Sequence, residues 1–187
     1  KESSAASDVY KRQAFHGVEV SWVPQIYKDT IVCYSFSKSL SLPGERLGYV
    51  LVPKQVTDAD SVYAATAGAG RSQGYVNAPS LFQRVAAECC DLTADISVYE
   101  RNCALLTDAL REMGYHVVQP GGAFYLFPRS LEPDDMAFSE RAKKFDLLLV
   151  PGSGFGAPGH FRIAYCVQTE MIERALPRFK ALADSYQ

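Results

Sequence analysis

The sequence predicts a layered α/β or α+β architecture, and three observations carry that expectation. Short apolar and β-branched runs, such as Ile31-Val32-Cys33-Tyr34 and Phe161-Arg162-Ile163-Ala164-Tyr165, have the length and composition of strands. Longer stretches repeat apolar residues at steps of three and four, as helices do. Glycine, proline and aspartate mark the joins between the two kinds of run.

Taken in order, residues 1–13 are polar and patternless, and 1–9 are expected to be disordered or unrelated to the rest of the chain. Residues 30–34 and 47–52 are expected strands on either side of a serine-rich turn. Residues 58–67 are expected to be helical and to stop at Gly68-Ala69-Gly70. Asn77 is placed to cap a further helix that takes Pro79 in its first turn. In that helix Leu81, Phe82, Val85, Ala86 and Cys89 share one face. Asp95 opens the longest helix, where Tyr99, Cys103, Leu106, Leu110 and Met113 succeed one another at steps of four and three and Gly114 ends the run. Strands are then expected at 115–118, 123–127, 147–150 and 161–166. Helices are expected at 134–144 and from Thr169 onward, the last kinked at Pro177. A soft boundary near residue 92 divides the chain into 1–91 and 92–187.

The 187 residues suffice for one substantial core or two small ones. The net charge of -2 gives no reason to expect nucleic acid or an anionic membrane as partner. No apolar run reaches membrane-spanning length, and the start Lys1-Glu-Ser-Ser-Ala-Ala-Ser lacks the apolar segment of a signal peptide. The five cysteines have no C-x-x-C spacing, and Cys33, Cys89, Cys103 and Cys166 fall within apolar patterns. They are expected in the core, in a cytoplasmic chain without disulfides or a zinc site. His16, His116 and His160 have no partner at metal-binding spacing.

Chemistry concentrates in Ser35-Phe-Ser-Lys38-Ser-Leu-Ser-Leu-Pro43-Gly44-Glu-Arg46-Leu-Gly48-Tyr49. A lysine held against a sheet loses hydration and becomes a usable nucleophile. Pro43-Gly44 forces a turn that can fold Arg46 back toward Lys38. A guanidinium with the Ser35 hydroxyl makes a phosphate site. A reactive lysine beside a phosphate cradle is what a pyridoxal phosphate enzyme requires. Other readings share the letters. Lys38 also fits a solvated surface lysine, the S-x-x-K of acyl-enzyme hydrolases and the Y-x-x-x-K of short-chain dehydrogenases. The second lacks its downstream partners, and the third needs a helix where a strand is expected.

Gly154-Phe-Gly156-Ala-Pro-Gly159 spells G-x-G-x-x-G, but a strand-like run comes after it where a dinucleotide site needs a helix. Pro151 stands where a nucleophile elbow around Ser153 would need its first glycine. Arg162 lies in an apolar strand, either on an edge with its guanidinium in solvent or as a clamp for a ligand carboxylate. Tyr10 is either a cofactor contact or part of a frayed end, and composition favours the second.

The run from Ser35 to Tyr49 resembles the class I and II aminotransferases, the fold-type I pyridoxal phosphate enzymes. Gly17-Val-Glu-Val, Gly74-Tyr-Val-Asn-Ala-Pro79, Gly121-Gly-Ala-Phe-Tyr125 and Pro151-Gly-Ser-Gly-Phe-Gly156 with Phe161-Arg162-Ile-Ala are similar to the family's later motifs, in order. The likeness implies an α/β fold, with 1–91 as the remainder of the cofactor-binding large domain and 92–187 as a small C-terminal domain. It implies that Lys38 binds pyridoxal 5'-phosphate covalently and later moves the α-proton. By the same likeness Ser35 and Arg46 hold the phosphate, Tyr10 meets the phenolic oxygen and Arg162 binds the substrate α-carboxylate. The implied reaction exchanges an amino group between an amino acid and a 2-oxo acid, in a protein that is a homodimer at full length. A lyase of the same fold and a non-catalytic remnant are the alternatives. The family's earlier half, with its phosphate loop, ring-stacking aromatic and asparagine, has no counterpart here. Ser7 stands where the family has the aspartate that pairs with the pyridine nitrogen, with Asp8 one step away. A truncated chain is therefore expected, one that takes the cofactor weakly or not at all by itself.

Overall fold

Val32 and Tyr34 alternate with exposed Cys33, and this period of two makes Thr30–Ser35 (β2) a strand with one buried face. It is central in the first of two three-stranded sheets in the computed structural model, which describes residues 4–7, 14, 15, 19, 21–92 and 95–187. The chain forms two compact units, Lys1–Asp95 and Ile96–Gln187.

In the first unit β2 pairs in parallel with Ser4–Ser7 (β1), Ser4 opposite Thr30 and Ser7 opposite Cys33. No strand was expected at residues 4–7, since their small side chains carry no alternation from which one could be read. On its other side β2 runs antiparallel to Gly48–Leu51 (β3), from Val32 opposite Leu51 to Ser35 opposite Gly48. Val23–Ile26 (α1) is a single turn before β2.

Ala59–Ser72 (α3) runs straight through Gly68 and Gly70, where a break was expected. Glycine weakens a helix interior by about 1 kcal/mol without ending it. The helix is closed off at Gly74, whose φ of 85° lets Tyr75 N–H reach the Gly70 carbonyl at 2.9 Å. Ser80–Cys89 (α4) comes next, with Pro79 rather than Asn77 at its cap and Leu81 exposed on the face expected to be apolar.

The second unit is built on Ser97–Glu112 (α5) and Thr169–Asp184 (α7) against a sheet of order β4-β6-β5. Its strands are Tyr125–Leu126 (β4), Val150–Pro151 (β5) and Phe161–Ala164 (β6), each shorter than expected. Cys103, Leu106 and Leu110 of α5 are buried as the periodicity requires, and Gly114 closes the helix at φ 89°. Asp134 caps Asp135–Lys143 (α6) by accepting from Met136 and Ala137 N–H at 3.0 Å. Pro177 lies inside α7 and the helix continues beyond it.

Residues 115–118 form no strand. Tyr115 and Val117 are buried and Val118 is exposed, the alternation of a strand, but Arg111 Nε and Nη2 donate to the Val117 carbonyl at 3.2 and 3.0 Å. A side chain thus takes an acceptor that a ladder would use. Of the cysteines expected in the core, Cys103 is buried, Cys89 half-buried, and Cys33 and Cys166 exposed. All five are free, and no His/Cys/Asp/Glu cluster suited to a metal occurs among the described residues. No described helix is long and apolar enough to cross a membrane.

Candidate functional site

The β2–β3 ladder closes at Ser35 opposite Gly48, and Phe36 N–H extends it by donating to the Leu47 carbonyl at 3.0 Å. Everything from Phe36 to Leu47 is therefore one connection between neighbouring strands. Gly48 permits that closure, since a Cβ there would lie 2.3 Å from the Tyr34 carbonyl oxygen. Tyr34 stacks on Tyr49 with centroids 5.0 Å apart and meets Phe36 edge-on at 5.2 Å, which stiffens the base of the connection.

Lys38 sits in the one-turn helix Phe36–Ser39 (α2) and is half-buried. Ser35 caps that turn by accepting from Ser37 N–H at 3.2 Å, and its hydroxyl donates to Ser37 Oγ at 2.9 Å. On the returning arm Pro43–Glu45 form a 3-10 turn. Arg46 comes next at φ 53°, in the left-handed region, and its Nη1 donates back to the Pro43 carbonyl at 2.9 Å. The turn expected from Pro43-Gly44 is present, and Ser41, at φ 54°, shares the left-handed backbone of Arg46. Ser35, Lys38 and Arg46 thus all lie at one end of one strand pair. Tyr10 lies outside the described residues, as do Asp8 and most of the Gly17-Val-Glu-Val motif.

Arg162 belongs to the second unit. It lies in β6, the central strand, which removes the reading as a solvated edge residue. Its backbone pairs with Val150, and its guanidinium lies over two rings, with Cζ 4.5 Å from the Tyr125 centroid and 4.4 Å from that of Phe155. Tyr125 comes from β4. Phe155 comes from the 3-10 turn Gly152–Phe155, held by three hydrogen bonds and a ring contact. Ser153 N–H and Oγ donate to the two carboxylate oxygens of buried Asp135 at 2.6 Å each. Gly152 N–H donates to the His160 carbonyl at 2.8 Å. Phe127 meets Phe155 edge-on at 6.1 Å. The Ser153 hydroxyl and N–H hold the Asp135 carboxyl below the usual carboxylate range.

Sequence reasoning missed Ser37, Tyr125, Phe155 and the Asp135–Ser153 clamp. Phe155 stood in the open as the apolar letter inside a G-x-G-x-x-G string, where glycine spacing drew the attention. Of the string's glycines, Gly156 and Gly159 turn at φ 72° and 73°, and just before the string a Cβ on Gly152 would meet the Ala157 carbonyl oxygen at 2.3 Å.

The family model described as aminotransferase class I and II matches residues 8–179. The chain is 28% identical to an aspartate aminotransferase of Geobacillus stearothermophilus, covering 92% of this chain and 47% of that protein. It is 31% identical to aromatic-amino-acid aminotransferase 2 of Thermococcus litoralis, covering 94% and 47%. The crystal structure of an aminotransferase from Eubacterium rectale superposes with a TM-score of 0.95 at 49% identity, over 98% of this chain and 46% of that one. The chain therefore spans about half the length of the curated relatives it matches.

Proposed function

We propose that this chain, which belongs to the class I and II aminotransferases, serves an amino-group exchange between an amino acid and a 2-oxo acid, using pyridoxal phosphate at Lys38. The observation that carries the proposal is the closed β2–β3 connection, which presents an amine, a guanidinium and paired serine hydroxyls from a single strand end. That donor set fits a phosphorylated aldehyde. The amine suits the carbonyl carbon, and the guanidinium and hydroxyls suit a phosphate dianion. When bound, the cofactor supplies an electron sink for the carbanion left on loss of the α-proton.

The chain's own residues do the rest. Lys38 Nζ is the covalent anchor and, once released, the base that moves the α-proton. Ser35 and Arg46 hold the phosphate, with Ser37 sharing the Ser35 hydroxyl. Arg162 receives the substrate carboxylate in the plane of its guanidinium. Tyr10 is assigned to the phenolic oxygen. Residues 1–91 are the later part of the cofactor domain and 92–187 the small domain. Family likeness extends the reading to a cytoplasmic homodimer for the whole protein.

Borohydride reduction after incubation with pyridoxal phosphate, with peptide mapping of the product, tests the assignment. The label is expected at Lys38 above the other lysines, and Lys38→Ala should abolish that excess. A label spread evenly over the surface lysines, unchanged in Lys38→Ala, would remove Lys38 from the site.

A further inference from the structure

Arginine donates hydrogen bonds only in the plane of its guanidinium, and the two faces of that plane are poorly hydrated. An aromatic ring on a face therefore leaves every donor usable and restricts the side chain's rotation. Arg162 has its guanidinium over two rings at nearly equal distance, Tyr125 at 4.5 Å and Phe155 at 4.4 Å. The rings come from different neighbours of β6, one from β4 and one from the turn after β5.

Phe155 is half exposed, so burying its ring in the core does not account for its position. Its turn is fixed at Ser153 by Asp135, at Gly152 by the His160 carbonyl, and by an Ala157 N–H that donates to the Gly152 carbonyl at 3.0 Å. Phe127 backs Phe155 edge-on and stacks on His160 at 5.8 Å. The ring over Arg162 is thus the tip of a fixed turn.

We propose that Tyr125 and Phe155 are positioning residues that hold the Arg162 guanidinium for a carboxylate, with the Asp135–Ser153 clamp setting Phe155. The inference rests on the carboxylate role proposed for Arg162. Holding the side chain before binding lowers the ordering entropy that binding would otherwise require. A cation–π contact at a partly exposed site corresponds to about a two- to fivefold change in affinity.

The test uses the 187-residue chain with pyruvate as a small 2-oxo acid, read by the Arg162 Nε–Hε correlation in nitrogen-proton NMR. Arg162→Lys assigns that signal by its loss. Phe155→Leu should move the signal toward that of an exposed arginine and weaken pyruvate binding about two- to fivefold. Phe155→Tyr should restore both, and Tyr125→Leu should act in the same direction through the second ring. An unmoved signal, or a moved signal with unchanged pyruvate affinity, in both leucine variants overturns the proposal. If Arg162→Lys loses pyruvate binding while the leucine variants keep it, the rings have no role and the carboxylate reading stands. If Arg162→Lys binds pyruvate as the unaltered chain does, the carboxylate reading fails and takes the role of the rings with it.

Discussion

Asp29 shows how a single side chain ties two loops of the first unit together. Its Oδ1 accepts from Thr57 N–H at 2.7 Å, and Lys28 Nζ reaches both the carboxylate, at 3.1 Å, and Thr57 Oγ1, at 2.6 Å. The Thr57 N–H, then its hydroxyl, lower the Asp29 pKa from 3.8 to about 2. A depressed acid contributes stability above its unfolded value and loses it as the pH falls through the folded one. The first unit should therefore weaken between about pH 4 and pH 2, and Asp29→Asn should flatten that segment of its stability profile. Chemical denaturation at a series of acid pH values reads this directly, and a profile unchanged by the substitution would refute it. Ser39 is the opposite kind of residue. Its hydroxyl is buried with no hydrogen-bond partner among the described residues, so Ser39→Ala should raise the denaturation midpoint, by about 1 kcal/mol in stability. A loss of stability would mean that the hydroxyl is satisfied in solution.

Elements were legible where pattern and punctuation agreed. The α5 periodicity, the Asp134 cap and the β2 run all rest on side chains whose preference is local, and the structure obeys them. Elements decided by backbone closure were not. Gly68 and Gly70 carry the letters of a break, but of the three glycines only Gly74 takes a positive φ, and no letter distinguishes them. The 115–118 run has a strand's alternation but forms no strand, and its Val117 carbonyl accepts from the Arg111 side chain. At the candidate site the charged and hydroxyl side chains were legible, because few residue types can bind a phosphate or a carboxylate. The rings over Arg162 were not, because tyrosine and phenylalanine are ordinary core letters until the register sets them beside a cation. Gly152 and Gly154 give the element-scale prediction. A Cβ at Gly152 would stand 2.3 Å from the Ala157 carbonyl oxygen and 2.8 Å from that of His160, whereas at Gly154 nothing lies within 4 Å. Gly152→Ala should cost about 1–3 kcal/mol of stability, and Gly154→Ala should stay within about 0.5 kcal/mol. Thermal unfolding of the pair checks this, and equal effects would show that the Gly152 turn relaxes freely.

At the scale of the whole molecule the two units differ in how much apolar surface each removes from water. The second unit fully buries Phe138, Phe161, Tyr165 and Leu182, and Tyr115 meets Phe138, Phe161 and Phe179 edge-on at 6.1–6.5 Å. Buried Asn102 locks that core by donating to the Tyr165 and Val167 carbonyls and accepting from Thr169 Oγ1. Among the described residues the first unit buries fewer apolar groups, namely Phe15, Val32, Tyr34, Leu47, Val56 and Ala86. Its β3 is exposed at all four residues and α3 buries none of its fourteen. Tyr49, Tyr63 and Leu81 stand in solvent at 45–66% exposure. Burial contributes roughly 25 cal/mol per Å² of apolar surface, so the described residues of the first unit supply the smaller driving force. The 187-residue chain should therefore unfold in two steps, with β2, β3 and α3 exchanging their amide protons at lower denaturant than α5 and α7. Hydrogen exchange by mass spectrometry along a denaturant series resolves the two, and a single transition with equal protection would contradict the difference in burial. Lys38 and Arg46 lie in the unit expected to open first and Arg162 in the other. Asn102→Ala should lower the second transition by about 1–3 kcal/mol and leave the first in place, since it strands two backbone carbonyls and a threonine hydroxyl confined to the second unit.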